Sequence, residues 1–304
     1  MAAEPLIPYL SVPDLVLLPA GALGDFPAQP LSIKPFGTLV ALGTYLGAYL
    51  AVVQGKRRGL SERALMSLIL YVTVLSFVCG HVLDIVFYYP GQILEDPLSL
   101  IRLWDGLSSF GGFTGALLAG LVWRARHRVS LLPYADALGS TFPIGWSFGR
   151  LGCSIAHDHP GRSSDVWWAV RYPDGGRFDL GLLELAITIP LAVFFVWCWR
   201  RPRPWGFYIA VMSVYYAPLR FLMDFLRARP EDAPDYTGSV DPRYAGLTPA
   251  QWACVLLFAF GVYLLVEIRR RGEEAYELPR VPERFSSVSN SESERPASHA
   301  GTER

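Results

Sequence analysis

The chain has 304 residues, of which 52% are apolar and 18% are charged, and its mean hydropathy is +0.28. A soluble globular chain is less hydrophobic than this, so the composition indicates an integral membrane protein. The 27 basic and 27 acidic residues give a formal charge of zero. Bulk electrostatics therefore provide no reason to expect nucleic acid as a partner, and none is expected.

Seven apolar windows approach the roughly 20 residues with which a helix crosses a bilayer. They leave no length for a soluble catalytic domain, so we predict an all-α polytopic bundle of about seven transmembrane helices. The third window is rich in Gly, and the fourth contains Pro133, Asp136 and Pro143, which predicts broken helices inside the bundle. The windows are 35–54, 64–89, 107–123, 130–149, 180–199, 206–226 and 250–268.

The two ends of the chain lie outside this transmembrane domain, which we place at 35–271. Residues 1–33 contain no Lys or Arg, so they lack the basic region of a signal peptide, and we interpret 1–34 as an extracytoplasmic lead-in. Residues 272–304 are rich in Ser, Pro and charge, which predicts a disordered tail. Basic runs at 55–63, 124–128, 200–203 and 269–271 follow alternate windows. This predicts an external N-terminus and a cytoplasmic C-terminus.

Ionisable side chains inside the predicted spans carry the strongest functional signal, because lipid penalises each one that does not face the interior. Most of them fall in the outer half of their windows. Tyr216, Arg220, Asp224 and Arg227 are separated by four, four and three residues, so they share one helix face. The full set is His81, Asp84, Arg150, Glu184, Tyr216, Arg220, Asp224 and Arg227.

This helix face has two interpretations. Arg220 and Asp224 can form an internal ion pair that joins helices. Alternatively, the arginines outnumber the acids and form an anion clamp, since a guanidinium at headgroup depth binds a phosphate bidentately. For His81 and Asp84 we favour a buried hydrogen-bonded pair over a proton relay.

The segment 149–162, "GRLGCSIAHDHPGR", is expected to form a polar loop after the fourth window. Its glycines, Gly149 and Gly152, allow the backbone to approach a ligand closely. His157, Asp158 and His159 place titratable groups at the water interface. Cys153 with His157 and His159 can be interpreted as a metal site, but the spacing matches no common ligand pattern and no metal is predicted.

Four stretches resemble the prolipoprotein diacylglyceryl transferase family, and together they cover roughly residues 35–270. Gly149–Gly152 followed by Gly161 and Arg162 resembles the family motif G-R-x-G-N-x-x-N-x-E-x-x-G-R. "YYAPLRFLMDFLR" resembles Y-x-x-x-R-F-x-x-E-x-x-R, with Tyr216, Arg220, Asp224 and Arg227 in register. "RLWDGLSSFGG" at 102–112 resembles W-D-G-G-x-S-F-H-G-G, and "RPRPWG" at 201–206 resembles the loop before the arginine-bearing helix.

The resemblance implies a multi-pass enzyme of the bacterial inner membrane with an outward-facing lipid cavity and no cofactor. Such an enzyme moves diacylglycerol from phosphatidylglycerol to the lipobox cysteine in a prolipoprotein signal peptide and releases glycerol phosphate. That chemistry needs arginines for the departing anion and a base for the thiol. The implied phospholipid-binding residues are Arg150, Arg220, Arg162, Tyr216, Gly149 and Gly152, and the supporting polar residues are Asp224, Arg227, Glu184, His81 and Asp84.

The sequence departs from the family pattern at the position of the HGG histidine, where Phe110 or Gly111 stands. Three further motif residues are replaced, by Cys153, Ala156 and Asp158, while Arg177 and Glu184 match the pattern of the 177–184 stretch. The base would then be His157, His159 or the deeper His81, and we favour His157 or His159, with Asp158 beside them. Two alternatives to a transferase follow: a non-catalytic phospholipid-binding membrane protein, and a metal-dependent membrane enzyme built on Cys153, His157 and His159.

Overall fold

The computed structural model describes residues 4–20, 22, 30–102, 106–228, 243–280, 282 and 285. Helices dominate this part of the chain, which confirms the all-α class. The helices are α1 Pro35–Arg57, α2 Glu62–Tyr88, α3 Pro90–Glu95, α4 Ser109–His127, α5 Leu131–Gly139, α6 Phe142–Ala156, α7 Leu180–Cys198, α8 Phe207–Met223 and α9 Pro249–Arg271. The strands are β1 Ile7–Pro8, β2 Leu15–Leu18, β3 Leu31–Ile33, β4 Pro160–Ser163, β5 Val170–Tyr172 and β6 Gly175–Asp179.

Five of the described helices are long and apolar enough to cross a membrane, namely α1, α2, α7, α8 and α9. The third predicted window forms α4, which ends in Arg124, Arg126 and His127. The fourth window forms two shorter helices, α5 and α6, of 9 and 15 residues. The chain is therefore a polytopic membrane protein, and it is helical in every one of the seven predicted windows.

The break between α5 and α6 confirms the predicted interruption of the fourth window. Pro143 stands in the first turn of α6, where its missing N–H costs nothing. The hydroxyl of Ser140 donates to the carbonyl of Ala137 at 2.7 Å, and that of Thr141 donates to the carbonyl of Gly47 in α1 at 2.9 Å. The Ser140 side chain thus pairs with a backbone carbonyl at the break, and the Thr141 side chain joins the break to α1.

Glycines of α4 allow this helix to pack directly on the backbone of α2. A Cβ atom at Gly111 would lie 2.5 Å from the carbonyl oxygen of Cys79, and one at Gly115 would lie 2.3 Å from that of Leu75. Only glycine fits at such distances, and small residues spaced four apart are a common way for helices to associate in membranes. The Gly-rich third window therefore forms one continuous helix packed closely on α2, so the predicted break is wrong. Its other face is exposed, as Leu117 shows at 65%.

One end of the bundle is closed by a buried ion pair that we call the Asp136 cluster. Asp136 is fully buried in α5, and its Oδ2 lies 3.1 Å from Nη1 of Arg58, the residue after α1. Its Oδ1 accepts the backbone N–H groups of Tyr208 and Ile209, in the first turn of α8, at 2.9 and 3.2 Å. The Arg58 guanidinium also lies 3.8 Å above the Trp205 ring. Three helices are joined here with every carboxylate oxygen used.

The start of the C-terminal tail packs on this same end. The Trp205 backbone N–H donates to the Ala275 carbonyl, and its indole N–H donates to the Glu277 carbonyl, both at 2.8 Å. Phe285 is only 8% exposed and contacts the Trp123 and His127 rings. The prediction of disorder from residue 272 is therefore wrong for residues 272–280 and for Phe285, because apolar side chains there find partners. The other residues of the tail lie outside the described residues.

At the opposite end, short strands cover the bundle, and the sequence analysis did not predict them. β1 pairs in parallel with β5, while β5 and β6 form an antiparallel hairpin whose other edge pairs with β4. β2 and β3 form a separate antiparallel pair. The described part of the N-terminal lead-in is thus tied to the segment between α6 and α7.

Candidate functional site

Helix directions bring the predicted site residues together at the end of the bundle covered by the strands. α6 and α8 run towards this end, whereas α7 and α9 run away from it. The last turns of the first pair therefore meet the first turns of the second pair. This arrangement joins Arg150 of α6, Glu184 of α7, and Tyr216 and Arg220 of α8 in what we call the Glu184 cluster, which also includes Asp224 and Arg227.

Glu184 is the hub of the cluster and is 4% exposed. Its Oε1 lies 3.0 Å from Nε of Arg150, and it accepts the indole N–H of Trp146 at 2.9 Å. The Tyr216 hydroxyl donates to the same oxygen. Arg220 approaches the other oxygen, with Nε at 4.0 Å from Oε2. One carboxylate therefore orients both arginines that the sequence singled out.

Asp224 is the second carboxylate and is 2% exposed. Its Oδ1 lies 3.2 Å from Nη1 of Arg220 and 3.5 Å from Nε of Arg227. Its Oδ2 accepts the Thr248 hydroxyl at 2.6 Å. Thr248 is also the N-cap of α9, where it forms a capping box with Gln251. Tyr216 and Arg220 therefore share one face of α8, but the predicted common helix face is wrong for Arg227. The α-helix ends at Met223, a 3-10 turn follows from Asp224, and Arg227 has an extended backbone.

The cluster combines ion pairing with an arginine side chain that is partly exposed. Its three guanidiniums, from Arg150, Arg220 and Arg227, face the two carboxylates of Glu184 and Asp224. Arg150 is 8% exposed, and the Arg220 side chain is 20% exposed. The predicted internal ion pair of Arg220 and Asp224 is therefore present, in a largely dry site. Such a site favours an anion that accepts charge-assisted hydrogen bonds.

Gly149 and Gly152 lie within α6, so the prediction of a loop that begins at residue 149 is wrong. The helix continues to Ala156 because residues 142–156 keep an apolar face. A Cβ at Gly152 would lie 3.0 Å from the Phe36 ring, so this glycine permits packing on the start of α1. A Cβ at Gly149 would meet no atom within 4 Å.

His157 has a structural environment that the sequence did not reveal. Its Nδ1 lies 2.7 Å from Oδ2 of Asp179, and its Nε2 lies 3.1 Å from the Leu10 carbonyl oxygen. The ring stacks on Tyr9 with 3.8 Å between centroids. The Tyr172 hydroxyl also donates to Asp179, and burial together with this carboxylate raises the pKa of Tyr172. Both ring nitrogens of His157 are engaged, which disfavours it as a base.

His159 differs from His157 because its ring is accessible. Its Nδ1 lies 2.5 Å from Oδ1 of Asp158, and 36% of its side chain is exposed. Cys153 approaches the same two residues and also lies near the ion cluster, with 3.7 Å between its Sγ and Nη1 of Arg150. The structure therefore brings Asp158 and His159 next to a predicted phosphate-binding arginine.

The predicted hydrogen bond between His81 and Asp84 is absent from the described residues. His81 is fully buried, with Nδ1 at 3.1 Å from the Gly106 carbonyl oxygen and Nε2 at 2.8 Å from that of Ser99. Its partners come from the segment before α4, which folds back over α2. An oxygen of Asp84 lies 2.7 Å from the point where a Gly106 Cβ would stand. His81 thus holds this segment in place.

The HGG position of the family motif lies at the first turn of α4. Gly111 packs on Cys79, so a side chain at this position would meet the α2 backbone. Phe110 is 51% exposed. Trp104 and Asp105, which belong to the same resemblance, lie outside the described residues. Neither Phe110 nor Gly111, the two positions that align with the HGG histidine, therefore provides an imidazole.

Arg162 lies in β4. The preceding residue of this strand, Gly161, forms an isolated bridge with Arg227. β4 therefore borders the Glu184 cluster.

The sequence interpretation missed Trp146 and Thr248. Trp146 precedes Arg150 by one helical turn, a spacing that predicts contact between the two side chains. The Arg150 guanidinium lies 4.3 Å above the Trp146 ring. Thr248 with Gln251 matched the sequence pattern of a capping box.

Comparison with known proteins agrees with these features. A sequence model of the family described as prolipoprotein diacylglyceryl transferase matches residues 25–267. The phosphatidylglycerol–prolipoprotein diacylglyceryl transferase of Bordetella avium (strain 197N) is 32% identical over 252 residues, which are 80% of this chain and 92% of the relative. The protein of the same name from Chromohalobacter salexigens is 30% identical over 248 residues, 80% of this chain and 90% of the relative. The chain belongs to the prolipoprotein diacylglyceryl transferase family.

Proposed function

We propose that this protein transfers a diacylglyceryl group from phosphatidylglycerol to the lipobox cysteine of a prolipoprotein signal peptide and releases glycerol phosphate. The Glu184 cluster is the observation that carries the proposal. It holds Arg150 and Arg220 in fixed directions, and the Arg220 side chain is 20% exposed, so its guanidinium is accessible to a ligand. A phosphate of a membrane lipid is the anion available at this depth.

The reaction replaces one bond at a glycerol carbon by another. The thiolate of the acceptor cysteine attacks the carbon that bears the phosphate, the C–O bond breaks, and a C–S bond forms. Negative charge grows on the departing phosphate, where Arg150 and Arg220 stabilise it. Glu184 and Asp224 hold these arginines, so no reorganisation is needed as the charge develops. Tyr216, Gly149 and Arg162 border the phospholipid in this proposal.

The thiol proton needs an acceptor, and His159 is the candidate that the geometry favours. Asp158 accepts a hydrogen bond from Nδ1 of His159, which leaves Nε2 with the lone pair of a base. Cys153, which contacts both Arg150 and the His159–Asp158 pair, links this base to the phosphate site. His157 holds the turn that carries Asp158 and His159, so we assign it a positioning role.

We further propose that the protein lies in the bacterial inner membrane with its N-terminus outside and its C-terminus in the cytoplasm. Basic residues support this orientation, because they stand in the last turns of α1, α4 and α9, which end on the same side. The Glu184 cluster then lies at the outer face, where prolipoproteins emerge. The outward-facing lipid cavity stays a prediction.

Rescue of a strain depleted of its own transferase tests the function. We expect the parent protein to restore growth and the Arg150→Ala and Arg220→Ala variants to fail. Arg200→Ala is the matched control, because Arg200 is an exposed arginine at the other end of α7. Rescue by both cluster variants would contradict the proposed phosphate site, and failure of the parent would contradict the proposed activity.

A non-catalytic phospholipid-binding protein is the second candidate, and the first turn of α4 favours it. The family histidine has no counterpart at Phe110 or Gly111, and Gly111 leaves no room for a side chain. Purified protein that binds phosphatidylglycerol vesicles but gives no turnover with a lipobox peptide would support this candidate over the transferase.

A further inference from the structure

A thiol, a carboxylate and an imidazole meet where α6 ends. One ligand atom each from Cys153, Asp158 and His159 lies within 4.8 Å of the other two. Thiolate sulfur, imidazole nitrogen and carboxylate oxygen are the ligands of Zn²⁺ in proteins. This set differs from the one that the sequence suggested, since His157 is held by Asp179 and Leu10 and Asp158 takes its place.

The backbone explains why the three residues meet. His157 ends α6 with φ of 50°, a left-handed conformation that is uncommon outside glycine and needs support from its surroundings. The chain reverses there, so Asp158 and His159 fold back towards Cys153 in the last turn of the helix. The hydrogen bonds and the Tyr9 stacking of His157 supply that support. The ligand set therefore depends on a fixed turn, which limits the entropy lost when an ion binds.

The charges also suit a divalent cation, although Arg150 lies close by. Its Nη1 is 3.7 Å from the Cys153 sulfur, but its Nε is paired with Glu184 at 3.0 Å. A Cys153 thiolate and the Asp158 carboxylate then contribute two negative charges, and the His159 imidazole is neutral. Cys153 is 7% exposed, while over a third of the His159 and Asp158 side chains is exposed. An ion can therefore enter from the side of His159.

We propose that Cys153, Asp158 and His159 bind one Zn²⁺ ion, with water as the fourth ligand, and that this ion inhibits the enzyme. Binding forms a Zn–S bond and releases the thiol proton to solvent, with no change of oxidation state. The inhibitory half rests on the proposed function, because an imidazole bound to zinc has lost the lone pair with which it would accept the proton of the acceptor thiol.

Cobalt tests the site directly, because Co²⁺ replaces Zn²⁺ at thiolate sites and gives a thiolate-to-metal charge-transfer band. The metal-free full-length protein in detergent is titrated with CoCl₂ and then with ZnCl₂. We expect one Co²⁺ per chain with such a band, which Zn²⁺ abolishes. Cys153→Ser should remove the band, and His159→Gln should weaken binding on the order of 100-fold. Cys79→Ser is the matched thiol control and should bind like the parent.

Absence of the band in the parent, or its survival in Cys153→Ser, would overturn the site. His159→Gln changes a partly exposed side chain, so it decides the question even if Cys153→Ser does not fold. A band lost in Cys79→Ser would assign the metal to another thiol and would also overturn the proposal.

Turnover with and without ZnCl₂ tests the inhibitory half. We expect Zn²⁺ to inhibit the parent over the concentration range in which it displaces Co²⁺, and the ratio of the two rates to approach one in Cys153→Ser. Stoichiometric binding without inhibition would overturn the inhibitory half alone. A parent without turnover would contradict the proposed transferase, while the cobalt spectrum would still decide the metal site.

Discussion

The two ends of the bundle each contain a buried ion cluster, and the two clusters differ in how their charges are satisfied. In the Asp136 cluster, one carboxylate meets one guanidinium and two N–H groups at the start of α8. In the Glu184 cluster, two carboxylates meet three guanidiniums. The first set is closed around a fully buried carboxylate, whereas the Arg220 and Arg227 side chains of the second set are 20% and 37% exposed. The difference indicates that the first cluster stabilises the fold and that the second is suited to a ligand.

Removal of Asp136 provides the strongest test of the first half of this comparison. We expect Asp136→Ala to lower the free energy of unfolding by about 3–5 kcal/mol, because it leaves the Arg58 guanidinium without its buried counter-charge. The measurement is unfolding in mixed detergent micelles. Asp174→Ala is the control, since Asp174 pairs with Arg177 but is 56% exposed. A full loss of turnover in folded Asp136→Ala would contradict its purely structural role.

The second half of the comparison predicts a catalytic effect at Arg150. We expect Arg150→Lys to lower turnover by about 10²–10³-fold, because the charge stays but the forked geometry on the phosphate is lost. Arg220→Lys should behave alike. The loss is measured as the turnover of phosphatidylglycerol with a lipobox peptide, and Arg200→Lys is the control. Parent-like turnover in both cluster variants would reduce these arginines to ion-pair partners within the bundle.

The two histidines after α6 separate positioning from proton transfer. We expect His159→Gln to lower turnover by about 10²-fold, the typical effect of losing a general base, while binding of phosphatidylglycerol vesicles persists. His157→Gln should lower the unfolding temperature as well as turnover, because it removes the support of a left-handed turn. Equal turnover of His159→Gln and the parent would leave the reaction without this base.

The tail offers a smaller test at the end of the bundle that carries the Asp136 cluster. We expect Phe285→Ala to lower the free energy of unfolding by about 2 kcal/mol, the value for one buried apolar side chain, and to leave turnover unchanged. Unfolding in detergent and the peptide assay measure the two quantities. Unchanged stability would mean that Phe285 does not pack on Trp123 in the membrane.

The smallest expected effect concerns the ion pair between Asp174, which is 56% exposed, and the buried Arg177. The hydrogen bond from Arg177 lowers the pKa of Asp174. Its stabilisation is therefore present above the ordinary aspartate pKa of about 3.9 and is lost as the pH falls through the lowered value. We expect Asp174→Asn to cost a few tenths of a kcal/mol at pH 7. A loss that persists unchanged in strong acid would contradict this origin.

The sequence by itself determined the membrane class, the seven helical windows and the shared face of Tyr216 and Arg220 on α8. Apolar length and helical periodicity are local properties, so a single chain is enough to reveal them. The resemblance also identified Arg150 and Glu184 as relevant residues. The resemblance did not reveal that Arg150 and Glu184 form an ion pair with each other, because these two residues lie on different helices.

Only the tertiary structure decided which partner each polar group has. His157 and His159 look alike in sequence, yet a left-handed turn directs one ring towards Asp179 and Leu10 and leaves the other beside Asp158 and Cys153. His81 likewise meets backbone carbonyls from the segment before α4 instead of the aspartate three residues away. Hydrogen bonds and ion pairs between distant segments depend on how the helices and strands pack, which local sequence patterns do not encode.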